Sequence, residues 1–167
     1  MRDPIERLVE ILGREIGIYA ELLEVKFGEK EALLKFSTRD LEEFNERQNV
    51  LAGRAADLEF QRVKLVREMA KARGAGGTPT LSEVAGWLSG ESRASILELG
   101  DELADLCEKL AVQQGANAEL IDTSAHYLRE LVENLVRRSQ LDRVAYTQRG
   151  VKTPGRETNP SLIDRTL

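Results

Sequence analysis

One cysteine, one histidine, one tryptophan and four prolines in 167 residues leave little for chemistry and little to interrupt a helix. A single Cys107 excludes an internal disulfide and a multi-cysteine metal site, and fits a reducing cytoplasm. His126 stands alone on a polar stretch and reads as a surface residue. No HExxH, CxxC, GxSxG, Walker A or GxGxxG sequence occurs, and carboxylate pairs such as Glu42/Glu43 and Asp101/Glu102 fall on solvated helix faces. Facing helices can build a carboxylate metal site, but the Glu-x-x-His motif such bundles use is missing. Neither enzyme chemistry nor a cofactor is expected. No apolar run approaches the length of a membrane span, and the opening MRDPIERLVE lacks the apolar core of a signal peptide.

Prolines at 4, 79, 154 and 160 leave two proline-free runs of 74 residues. Aromatics are only 5 % and charged residues 32 %, the profile of long helices and coiled coils. The net charge of −5 is uneven: residues 137–167 carry seven Lys/Arg against three Asp/Glu, net +4, and residues 1–136 carry 17 against 26, net −9. An acidic body argues against duplex nucleic acid as a partner, while the basic tail suits an acidic surface.

The strongest pattern is Leu41, Phe44, Gln48, Leu51, Ala55, Leu58, Arg62, Leu65, Met69, Ala72, an unbroken alternation of threes and fours. Such a stripe demands a helical partner along its length, about 50 Å at about 1.5 Å per residue. Gln48 and Arg62 on this seam are read as register-setting or edge residues. Upstream, Asp3-Pro4-Ile5-Glu6 is a helix start, and Ile5, Leu8, Val9, Leu12, Ile16, Tyr19, Leu22, Leu23, Phe27, Leu33 and Leu34 form a stripe wide enough for two neighbours. Gly13 and Gly17 on it read first as close packing against another helix, and second as a binding notch. Ser37-Thr38-Arg39-Asp40 marks a tight turn, so the first two helices run antiparallel.

GAGGTP at 74–79 is a linker, and Thr80-Leu81-Ser82-Glu83 is a capping box opening a short helix on which Trp87 pins it to the hairpin. The seam resumes as Ile96, Leu99, Leu103, Leu106, Leu110, Gln113, Asn117, Leu120, Ser124, Tyr127, Leu131, Asn134, Arg138 and Leu141. After Gly115 it turns half polar, while Ile121, Leu128, Val132 and Leu135 open a second apolar line beside it.

The expected fold is all-α: an elongated antiparallel helical hairpin of coiled-coil character, with a short helix and a long third helix, like a three-helix bundle. The helices are placed at about 4–37, 39–73, 81–88 and 92–140, in a domain of residues 1–149 followed by a flexible tail, 150–167. Leu51, Leu58, Leu65, Leu103 and Leu106 are expected in the core. The third long helix exceeds the first two by a length of about 20 Å, and its surplus leucines suit a partner site. The candidate site is Leu128, Leu131 and Leu135 with the basic segment Arg137, Arg138, Arg143, Tyr146, Arg149 and Gly150.

The parts together resemble the FlgN family of flagellar export chaperones. The likeness spans about residues 5–150: the Leu/Glu repeats, Leu41–Leu51–Leu58 followed by Arg62, the Gly-rich linker, Thr80-Leu81-Ser82-Glu83, Asn117-x-x-Leu120-Ile121-x-x-Ser124, and Tyr146-x-x-x-Gly150. Thr147 departs from the glycine common in the family after that tyrosine. The resemblance implies a cytoplasmic bacterial chaperone that holds the hook–filament junction proteins FlgK and FlgL for type III export. It also implies cargo binding by the C-terminal part and export-apparatus components as further partners. The competing readings are a self-assembling coiled-coil scaffold, in which the surplus stripe pairs with a second copy, and a helical adaptor of another secretion or signalling system.

Overall fold

The computed structural model describes residues 3–148, and the side chains of residues 3–141. Four helices occur among them and no strand: α1 (Pro4–Leu34), α2 (Thr38–Ala72), α3 (Leu81–Gly86) and α4 (Gly90–Gln148). The fold is all-α, with the long helices packed on one another as expected. The expected tail, 150–167, lies outside the described residues. The chain divides into two units, Met1–Thr123 and Ser124–Leu167, so α4 belongs to both.

Each boundary has a local cause. Asp3 Oδ1 accepts the Ile5 N–H at 3.1 Å and Pro4 occupies the first turn, where its missing N–H costs nothing. α1 stops at Leu34, three residues before its expected end. There the N–H of Ser37 reaches the Ala32 carbonyl at 3.0 Å and that of Phe36 reaches Leu33 at 3.2 Å, the paired bonds of a Schellman cap. This cap needs a left-handed residue, and Phe36 supplies it at φ 53°. Ser37 then caps α2, its Oγ accepting from the Asp40 N–H at 3.4 Å. α2 ends in the same motif, Ala75 to Ala70 and Gly74 to Lys71, with Gly74 at φ 75° in the left-handed position. A glycine adopts that conformation freely, whereas a phenylalanine does so at a cost of about 1–2 kcal/mol.

The capping box of α3 is complete: Glu83 accepts from the Thr80 N–H at 2.6 Å, and Thr80 Oγ1 accepts from the Glu83 N–H at 3.2 Å. Those bonds hold the Glu83 carboxyl below its ordinary pKa. Trp87 packs half-buried against the core, with the Arg73 guanidinium 5.3 Å from its ring centre. The short helix is thereby fastened to the end of α2.

Two clusters form the core of the first unit. One joins Leu8, Ile11 and Leu12 of α1, Leu65 and Val66 of α2, Val84 and Ala85 of α3, and Ile96 of α4. The other joins Leu22 and Val25 of α1 to Leu51 of α2, with Phe44 and Leu110 against it. Leu51, Leu58 and Leu65 are buried as expected, but Leu103 and Leu106 are only half-buried. Here α4 meets the hairpin along a narrow line, and no other long helix among the described residues of this unit covers its flank. Gly28 makes room for the Phe44 ring of α2, which a methyl group there would overlap. Gly13 and Gly17 do not pack closely: both are exposed, and a Cβ on either would meet nothing within 4 Å.

Candidate protein-binding face

In the second unit the described side chains, Ser124–Leu141, belong to α4 alone. Its rotation of about 100° per residue gathers Leu128, Leu131, Val132, Leu135 and Val136 into one arc of about 140°. These five are between 42 % and 58 % exposed, and Tyr127 and Leu141 are 59 % and 63 % exposed. Leu131, Asn134, Leu135, Arg137, Arg138 and Leu141 bound a surface hollow. A run of large apolar side chains this uncovered is unusual for a folded surface and commonly marks a contact with another molecule.

The candidate residues separate accordingly. Leu128, Leu131 and Leu135 share the arc, with Arg137 and Arg138 on the same helix, both exposed. Arg143 and Tyr146 lie within α4, but their side chains fall outside the described residues, and Arg149 and Gly150 lie wholly outside them. His126 is a surface residue, its Nε2 3.4 Å from a Glu130 carboxylate oxygen.

The first unit holds two polar arrangements that sequence reading did not identify. Glu15 is 1 % exposed, and both its oxygens accept from Arg62 Nε, at 3.1 and 2.9 Å. Burial raises the Glu15 pKa, and the Arg62 hydrogen bond and charge oppose the rise. Partial burial and the Glu15 charge also push the Tyr19 hydroxyl and the Cys107 thiol upward. Arg62 is thus a seam residue because it bridges to α1. In the second arrangement Asn117, 2 % exposed, donates to the Lys26 carbonyl at 2.9 Å and to Glu29 Oε2 at 2.8 Å, and accepts from Gln113 Nε2 at 2.9 Å. Lys26 Nζ reaches the same Glu29 oxygen at 3.0 Å. Every group is satisfied, so Gln113 and Asn117 fix how α4 registers on α1.

An alternative surface lies in this unit. Gly17, Arg14, Ile18 and Glu21 of α1 and Arg54, Asp57 and Leu58 of α2 line an open groove whose walls mix both charge signs. Among the described residues no group of three or more His, Cys, Asp or Glu is placed to hold a metal, and no helix is long and apolar enough to cross a membrane.

The fold defines an all-α protein built on a long antiparallel hairpin. The family model described as FlgN protein matches residues 1–154, and the chain belongs to the FlgN family, a family of flagellar export chaperones rather than enzymes. No curated protein and no solved structure matched the chain.

Proposed function

We propose that this protein binds the hook–filament junction proteins FlgK and FlgL in the cytoplasm, holds them for type III export, and does so through α4 beyond Ser124. Family membership supports the chaperone role and a protein cargo. The observation that carries the assignment to α4 is the arc of Leu128, Leu131, Val132, Leu135 and Val136, each at least 42 % exposed. An apolar stripe of that kind takes an amphipathic helix in the helix-in-groove mode. Covering a cargo's apolar segment keeps it from self-association, and holding needs only mass action, without a nucleotide. Arg143, Tyr146, Arg149 and Gly150 belong to the proposed site, and export-apparatus components are proposed as further partners.

The test is Leu131→Asp combined with Leu135→Asp. On an uncovered face the pair leaves helicity and melting close to the parent and abolishes capture of FlgK and FlgL in a pull-down. Inside a core the same pair would bury two unpaired charges and unfold the protein. Deletion of residues 142–167 removes Tyr146 and the neighbouring arginines without touching the hairpin. If both variants fold and bind cargo like the parent, the site lies elsewhere, and the groove at Gly17 is the next place to probe.

A further inference from the structure

We infer that the partner covers the α4 arc with two apolar helices lying side by side, α4 seating between them as the third, rather than with one helix laid along it. This rests on the docking reading above and adds the architecture of the partner.

Leu128, Leu131 and Leu135 stand 18 residues after Leu110, Gln113 and Asn117. That interval is about five turns at about 3.6 residues each, so both sets lie on one face of α4. In the first unit this face rests on a helical pair. Ile96 is buried among Leu8 and Leu12 of α1 and Leu65 and Val66 of α2. Leu110 packs against a cluster of Leu22 and Val25 from α1 and Leu51 from α2. Gln113 and Asn117 are buried there, and Asn117 donates to the Lys26 carbonyl and to Glu29 of α1. Beyond Ser124 the same face continues with leucines where the amides were, and the described side chains of that unit belong to α4 alone. The arc therefore continues an interface whose other side is two helices.

The width of the surface agrees. One helix meets another through a seam of two positions per heptad. The arc spans about 140°, and Tyr127 and Leu141 extend it about 40° and about 80° past its Leu131 edge. Large apolar side chains thus occupy about 220° of the circumference, more than one neighbour can cover. A lone helix is also convex, so the groove of a helix-in-groove contact has to come from the other molecule, and two adjacent helices make one. The run from Leu128 to Leu141 is about 20 Å long, and Asp142 ends it. At the level of Leu131 and Leu135 the groove has to be apolar, because neither leucine can satisfy a buried polar group as Asn117 does.

Benzoylphenylalanine, a photo-cross-linking amino acid, replaces Leu131 or Val136, the two edges of the arc, in the full chain. Irradiation with FlgK and mass spectrometry then read which partner segment lies on each edge. Glu130, on the opposite face, is the control position. The expected result is a cross-link from each edge and none from Glu130, with the two FlgK segments more than about 20 residues apart, which is about 30 Å along one helix and beyond a single seat. Cross-links from one edge only, or from both edges to segments closer than that, overturn the two-helix inference and leave the docking reading standing. No cross-link from either edge while FlgK stays bound overturns both. Cross-links to a second copy of this chain that persist in excess FlgK also overturn both. Tyr127 and Val132 form a second pair of positions with the same reading, should either first replacement weaken FlgK binding.

Discussion

Replacing Arg62 by Leu should strip from a carboxylate with almost no access to water the one cation that pairs with it among the described residues. Glu15 is 1 % exposed and both of its bonds to the opposite helix go to Arg62 Nε. Breaking a buried pair from one side costs about 3–5 kcal/mol, because the remaining charge stays buried without compensation. The Arg62 side chain is 23 % exposed, so water reaches the pair and the lower end, about 3 kcal/mol, applies. For a chain of this size that lowers Tm by about 6–12 °C.

The loss should depend on pH, with a sign fixed by Glu15. Its folded pKa already lies above the ordinary glutamate value, and Arg62 is the main influence holding it down. Without Arg62 the folded value climbs further. A carboxyl raised by folding contributes full stability below its unfolded pKa and loses it as pH rises through the folded one. The deficit of Arg62→Leu should therefore be largest near neutral pH and shrink towards about pH 4.5, where the carboxyl is increasingly protonated in both states. Glu15→Leu/Arg62→Leu together should come within about 1 kcal/mol of the parent, since an apolar pair of similar volume replaces the ions. Thermal melts by circular dichroism across that range check all three statements. A single-variant loss below about 1 kcal/mol, or one unchanged with pH, would refute the reasoning.

Leu58→Ala should cost about 2–5 kcal/mol in denaturant unfolding, the range for an emptied leucine site; no measurable change would mean that the α2 stripe faces water. Phe36→Gly should stabilise the chain by up to about 1 kcal/mol, since it relieves the left-handed phenylalanine in the α1 cap, and a lower Tm would contradict that. Gly28→Ala should destabilise by about 1–3 kcal/mol, because the added methyl displaces the Phe44 ring; a melt identical to the parent would show that the ring shifts freely.

Helix count, order and antiparallel pairing were legible because the apolar spacing and the punctuation at Ser37, Gly74–Pro79 and Thr80–Glu83 agree with one another. The boundaries shifted where caps decide them. α1 ends at Leu34 because Phe36 accepts a conformation that residue statistics assign to glycine, and α4 runs from Gly90 to Gln148 because neither Ser92 nor Gly115 interrupts it. Glu15 was not legible: a glutamate between two glycines reads as solvated, and only the arginine on the facing seam hinted at a buried counter-ion. Asn117 fell where the seam turns half polar after Gly115, yet it and Gln113, also on the seam, are buried through hydrogen bonds that no apolar pattern encodes. The second apolar line of α4 was visible as Ile121, Leu128, Val132 and Leu135, and the structure leaves all four exposed.

Hydrogen exchange of the full chain with and without FlgK, followed by mass spectrometry, tests the proposed docking face most directly. New protection confined to α4 from about Tyr127 through Leu141, with the α1–α2 hairpin core unchanged, is the predicted result. Protection appearing instead along the groove of Arg14, Gly17, Arg54 and Asp57, with α4 beyond Ser124 exchanging as in the free protein, would contradict it.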